Sequence, residues 1–252
     1  MLYVLLALAG VVIGLLGSLL GVGGGIFMVP LLLLGGLVGT AQEATGTSIV
    51  GVMATGISGS IGYFLRRQNP WQISLALVPG ALGGSYLGAF LTGKISSEAL
   101  ALAFGLFLLY PAIVLLLGKE PKELVKAHEQ RNFSLLLALL VGVIAGTANS
   151  LFGIGGGVIM VPALLWLGYP MIQAVAASLL VMIPTGALST ALHALAGRTH
   201  WDLAIPLAAG ILLGGQIGPA VAVRLPQRTL RRLFSLVLFY SAANMIRRGL
   251  GY

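Results

Sequence analysis

Two glycine runs are the residues best placed to do chemistry with the backbone: Gly21-Val22-Gly23-Gly24-Gly25 and Gly153-Ile154-Gly155-Gly156-Gly157, with Pro30 and Pro162 five residues beyond the last glycine of each. Glycine reaches backbone angles closed to other residues and lets neighbouring groups approach closely. Three in succession interrupt a helix, and the proline beyond kinks the next one. The N–H groups released at such a break, together with the positive end of the next helix, can hold an anion. On that reading Gly23, Gly24, Gly25, Gly155, Gly156 and Gly157 form a substrate site. The competing reading is tight helix packing through small residues. A nucleotide-binding loop is not indicated, since no P-loop lysine comes after the glycines and the flanks are not strand and helix.

Polar side chains flank these runs. Ser18, Asn149 and Ser150 come just before them. They can donate to a bound oxyanion or bond their own helix backbone. Thr47, Ser48 and Ser178 lie early in later apolar segments, after Gln42, Glu43 and Gln173. Matched hydroxyls from two places in the chain would converge on one ligand, and helix capping is the alternative. Glu43 is either a carboxylate that carries a coupling proton or an interfacial charge at a helix start. His193 lies within an apolar run, where a titratable group is costly and therefore suspect. It is either a neutral, hydrogen-bonded histidine or a group that changes charge near neutral pH and couples a proton. Arg198 is a candidate ligand contact, and with His200 it sits at an interface beside Trp201. No nucleophile is paired with a base, no HExxH zinc motif occurs, and the chain has three histidines and no cysteine. The sequence therefore predicts no enzyme activity, no metal site and no cofactor.

The elements that carry these residues must lie in lipid. Of 252 residues, 58% are hydrophobic and 8% charged, with a mean hydropathy of +1.03. A soluble domain carries roughly a quarter charged residues. The composition predicts an all-α polytopic membrane protein with membrane lipid as its surroundings. The net charge of +8 does not indicate nucleic acid, because the bases are few and scattered. In a membrane protein such an excess marks cytoplasmic loops. The 37 glycines exceed the usual share of about 7%.

About ten apolar segments succeed one another: 2–20, 22–38, 44–65, 71–91, 99–117, 133–151, 154–167, 172–196, 201–223 and 230–245. A full span takes about 20 residues, so most qualify. Segments 22–38 and 154–167 are short and come directly after the glycine runs, which leaves tilted spans, half-helices and re-entrant arms open. The first segment lacks the basic start of a signal peptide. The one long hydrophilic stretch, 118–132, divides the chain into a first transmembrane repeat, 1–117, and a second, 133–252.

The halves resemble each other. Ser18 to Pro30 matches Ser150 to Pro162 at an offset of 132. The offset then becomes 130, aligning Ser48 with Ser178, Thr55 with Thr185, Trp71 with Trp201, and Gly80, Gly84 and Gly88 with Gly210, Gly214 and Gly218. The tryptophans read as belt residues at the membrane boundary, and the glycine stripes as helix-packing faces. An odd number of crossings per half would insert the second half upside down, the inverted-repeat plan of many secondary transporters. That arrangement puts 10 of the 14 Lys and Arg residues, including those of the linker, on one side, and Lys94, Arg198, Arg247 and Arg248 on the other. The positive-inside rule then puts the linker in the cytoplasm.

The duplicated G-x-G-G-G-x-x-x-x-P signature with Ser-Leu before it, the Thr47-Ser48 and Ser178 elements and the glycine-rich fourth helix of each half resemble the sulfite exporter TauE/SafE family, also called the toluene-sulfonate uptake permease family. The resemblance spans nearly the whole chain. It implies a bacterial or archaeal inner-membrane transporter of sulfur-containing anions such as sulfite or organosulfonates. It also implies that the two glycine loops form the functional core, with Ser48 and Ser178 beside them. Ala177 stands where the first half has Thr47, so the symmetry of such a site is approximate. The reading is a secondary transporter working by alternating access, with coupling to a proton or ion open. An anion channel using the same midplane site is the alternative, and a homodimer is compatible with either.

Overall fold

The computed structural model describes residues 1–68, 70–117, 134–224 and 226–250, and the linker 118–132 lies outside them. Among the described residues the chain forms ten helices and no strand: α1 (Leu2–Leu20), α2 (Gly25–Leu34), α3 (Ala41–Phe64), α4 (Trp71–Thr92), α5 (Ser97–Leu117), α6 (Leu135–Phe152), α7 (Gly157–Trp166), α8 (Met171–Leu195), α9 (Trp201–Ala222) and α10 (Gln227–Gly249). Six of them, α1, α3, α4, α6, α8 and α9, are long and apolar enough to cross a membrane. The protein is an all-α, multi-pass membrane protein.

The two short segments are shorter than their apolar runs. Residues 21–24 and 153–156 are not helical, and α2 and α7 have 10 residues each. At about 1.5 Å per residue each is about 15 Å long, half of a hydrocarbon core of about 30 Å. Neither spans. Instead α2 folds back along α3. Thr55 Oγ1 lies 3.1 Å from the Gly23 carbonyl and 2.8 Å from the Gly51 carbonyl of its own helix, Met28 meets Gly51, and Val29 and Leu33 line one small cavity with Thr45 and Ala41. The α1–α2 pair is a hairpin closed by the glycine break.

Apolar burial against lipid gives helices little reason to associate, so close packing through small residues must do it. Both glycine stripes serve this end. A Cβ on Gly80, Gly84 or Gly88 would strike the carbonyls of Leu139, Val143 and Thr147 on α6. On α9, Gly210 and Gly214 lie against the Ala7 and Val11 carbonyls of α1, and Gly218 against Ser18. Residue numbers rise together in both pairs, so α4 runs with α6 and α9 with α1. Corresponding helices of the two halves meet in the opposite sense. Gly59 lies by Leu179, Gly56 by Met182 and Ile183, and Met53 by Gly186, so α3 and α8 cross with their numbering reversed. The same reversal joins α5 to α10, where Ser235 donates to the Ala112 carbonyl and Gly249 packs on Leu102.

Pro30 lies inside α2 and has no N–H to give to Ile26, four residues earlier. Ser241 of α10 supplies the missing donor, with Oγ 3.1 Å from the Ile26 carbonyl. Beside this contact an apolar groove of about 380 Å³ runs between α2 and α10, lined by Phe27, Leu31, Leu34 and Tyr240 among others.

Candidate functional site

The two glycine breaks meet. α1 ends at Gly21 (φ 72°), whose N–H closes on the Gly17 carbonyl, and α6 ends at Gly153 (φ 68°), whose N–H closes on the Asn149 carbonyl at 2.8 Å. Only glycine takes this left-handed cap without strain. The next break residues, Gly23 (φ 79°) and Gly155 (φ 80°), are left-handed too. Gly25 then lies against the Gly153 carbonyl, and Gly157 against the Gly21 carbonyl, so close that a Cβ on either would collide with backbone. At Gly25 and Gly157 no side chain fits. The first bonds inside α2 run from Phe27 and Met28 to Gly24, and inside α7 from Ile159 and Met160 to Gly156. The N–H groups at each helix start point out of the helix, toward the break.

Ser48 and Ser178 come to the breaks. Ser48 Oγ lies 2.8 Å from the Gly153 carbonyl, and Ser178 Oγ 2.9 Å from the Gly21 carbonyl, each reaching into the opposite half. A hydroxyl has one proton to donate. Each oxygen also lies near a carbonyl of its own helix, Thr45 and Val175. The pair cross-braces the two halves. Ser18 donates to Leu15 within its own helix at 3.3 Å, the local bond of the two roles its position allowed.

The halves are not equivalent at the third glycine. Gly24 is left-handed (φ 75°) whereas Gly156 is right-handed helical (φ −61°). The cause is one turn upstream. A Cβ on Gly17 would sit 2.7 Å from the Gly24 nitrogen, and the residue aligned with Gly17 is Asn149, which has a side chain. The first-half geometry has no room for it.

Asn149 and Ser150 are fully buried, and both amide atoms of Asn149 and the hydroxyl of Ser150 lack a hydrogen-bond partner. His193, also fully buried, faces the Ser150 carbonyl with Nε2 at 2.9 Å. A carbonyl only accepts, so Nε2 carries the proton and Nδ1 is left as a bare acceptor, itself unpartnered. Ser189 and Thr190, one turn earlier on α8, are buried with free hydroxyls. Sequence reasoning missed these two. The repeat offset would have drawn attention to Thr190, which aligns with Ser60, another buried and unpartnered hydroxyl.

Arg198 and Glu43 stand apart from the breaks. Arg198 Nη1 donates to the Ala89 carbonyl at 3.0 Å near the end of α4, and its guanidinium lies over Gly93. Glu43 is the third residue of α3 and completes a capping box with Thr40, accepting from the N–H groups of Gly39 and Thr40 at 2.9 and 3.2 Å. Its carboxylate is 3.7 Å from His200, and both side chains are part-exposed. This is the interfacial, helix-starting role. Thr47 accepts from the His200 N–H at 3.1 Å. No group of three or more metal-ligating side chains occurs among the described residues.

The sulfite exporter TauE/SafE family model matches residues 6–245. The probable membrane transporter protein YunE of Bacillus subtilis is 29% identical, with 98% of each chain covered. The probable membrane transporter protein MJ0441 of Methanocaldococcus jannaschii is also 29% identical, over 93% of this chain and 91% of that one. No solved structure matches. With spanning helices, a duplicated glycine break and a family match over nearly its whole length, the chain belongs to the sulfite exporter TauE/SafE family of membrane transporters.

Proposed function

We propose that the protein is a secondary carrier of small sulfur-containing anions, sulfite or an organosulfonate, across the cell inner membrane. The two halves insert in opposite senses, with α1–α2 and α6–α7 as hairpins and three crossings in each half. The linker faces the cytoplasm, in keeping with the 10-to-4 division of Lys and Arg between the two sides. The substrate lies where the breaks meet, and alternating access comes from one half moving against the other. The reversed crossing of α3 and α8 supports the inverted arrangement.

The observation that carries this reading is the pair of half-helices, α2 and α7, starting from breaks that face each other in the protein interior. Non-helical backbone at membrane depth survives only where protein buries it or a cavity is lined by it. Here two such segments are interlocked by Ser48 and Ser178. Purified protein in liposomes tests the proposal. A carrier accumulates labelled sulfite or methanesulfonate against its gradient when a pH gradient is imposed. A conductance indifferent to that gradient would mean a channel, and no flux of any sulfur anion would overturn the substrate class.

A further inference from the structure

Among the described residues seven buried side-chain polar atoms have no partner, and six of them are in the second half, on Asn149 and Ser150 near the end of α6 and on Ser189, Thr190 and His193 near the end of α8, two stretches joined by the His193–Ser150 contact. Leaving buried polar atoms unpaired is costly, so a group of them marks a place built for something polar. The first half has no equivalent. Its aligned residues are Gly17, Ser18, Gly59, Ser60 and Tyr63. Two of those lack a side chain, Ser18 bonds its own helix, and Tyr63 donates to the Ser18 carbonyl at 3.4 Å.

We propose that the anion is bound on one side of the pseudo-symmetric core only, by the neutral donors Asn149, Ser150, Ser189 and Thr190, and that it loads together with a proton taken up on Nδ1 of His193. This rests on the transporter reading and assigns that site its residues and its coupling. Nε2 is pinned by the Ser150 carbonyl at 2.9 Å, so the proton can arrive only at Nδ1. Once protonated, Nδ1–H is a buried donor on the helix that also carries the free hydroxyls of Ser189 and Thr190. On the loading side a hydronium O–H bond breaks as the Nδ1–H bond forms, and on the other side the Nδ1–H bond breaks as a water takes up the proton.

Charge makes the two events cooperative. α6 and α7 carry no titratable residue, α4 brings only the exposed Tyr86, and α1 only the exposed Tyr3 at its start. On α3, Glu43 is at the far helix start in its capping box, and Tyr63 is engaged with Ser18. Lys94, beyond α4, lies over the Phe90 ring. The charge closest along the chain is Arg198, whose backbone N–H donates to the His193 carbonyl at 3.0 Å. A second cation in the same part of the core as that arginine is unfavourable when the site is empty, and a bound anion offsets the repulsion. A monoanion with one proton is neutral, which lowers the cost of carrying it through a low-dielectric core.

Calorimetric titration of the detergent-purified chain with methanesulfonate tests this, in two buffers of different ionisation enthalpy near neutral pH. Methanesulfonate has no proton of its own to exchange there. Sulfate and sulfite are run beside it. Wild type is expected to take up about one proton per anion. His193→Gln, whose amide can still donate to the Ser150 carbonyl, is expected to bind more weakly with uptake near zero. Thr190→Val should weaken binding about tenfold and Thr190→Ser restore it, while Ser60→Ala leaves it unchanged. If no sulfur anion binds wild type, the substrate class is wrong. If one binds but Thr190→Val behaves as wild type, if Ser60→Ala loses as much, or if His193→Gln keeps its proton uptake, the one-sided, proton-loaded site is wrong while the transporter reading stands. For a chain that binds only sulfite, the difference in uptake between wild type and His193→Gln is the decisive quantity.

Discussion

Ser178 Oγ lies 2.9 Å from the carbonyl oxygen of Gly21, a residue in the other half of the chain, and Ser48 stands in the same relation to Gly153. Each serine satisfies the carbonyl exposed where a helix stops. Ser178→Ala leaves a buried carbonyl without its partner and should cost about 1–3 kcal/mol. Ser48→Ala should cost a similar amount. Thermal unfolding of the purified variants checks this, and a Tm unchanged in both would mean that the braces carry no stability.

Neighbouring glycines on α4 give a paired test of the packing stripe. A Cβ on Gly84 would run into the Val143 carbonyl and sit 2.8 Å from the Thr147 nitrogen, whereas one on Gly83 meets nothing within 4 Å. Gly83→Ala should be neutral or stabilising by roughly 0.5–1 kcal/mol, through helix propensity alone. Gly84→Ala must push α4 off α6 and should cost about 1–3 kcal/mol or prevent insertion. Equal Tm values for the two variants would contradict the close approach of these helices.

The spans are legible in the sequence because lipid writes its thickness into it. The run 71–91 is realised as α4 (Trp71–Thr92), and 201–223 as α9 (Trp201–Ala222). The duplication is equally plain from glycine and proline register. What the halves do to each other is not. The carbonyls that Ser48 and Ser178 meet lie 105 and 157 residues away, and local pattern carries no such information. Ser189 and Thr190 escape notice for a related reason: two hydroxyls among alanines and leucines look like helix-packing residues until their neighbours are known. The replacement of Gly17 by Asn149 is visible in the repeat, but its consequence shows only in the backbone angle of Gly156.

Ser241 and Pro30 should be coupled energetically. Ser241 matters because Pro30 gives no N–H to the Ile26 carbonyl, and Ser241 Oγ takes that place at 3.1 Å. Alone, Ser241→Ala should destabilise by about 1 kcal/mol or more. In a Pro30→Ala background the helix supplies its own donor, and the same substitution should cost little. A double-mutant cycle on unfolding free energies reads the difference directly. Additive effects would show that the serine and the proline act independently.

Arg198 and Gly93 compete for one space at the end of α4. The Gly93 N–H turns to the Leu91 carbonyl instead of Ala89, and Arg198 Nη1 donates to Ala89 at 3.0 Å. A cation at the end of α4 also meets the negative pole of the helix dipole. The guanidinium occupies the position in which a Cβ on Gly93 would stand, so Gly93→Ala must displace it. Both Gly93→Ala and Arg198→Ala should therefore loosen the Gly197–His200 turn from α4, with similar losses of Tm, and the double variant should lose little more than either alone. Arg198→Lys keeps the charge but has no planar fork to lie over Gly93, and should recover only part of the loss. Hydrogen exchange at the start of α9 checks the same point by a second route: faster exchange in Gly93→Ala than in wild type is expected, and unchanged exchange would place the role of Arg198 elsewhere.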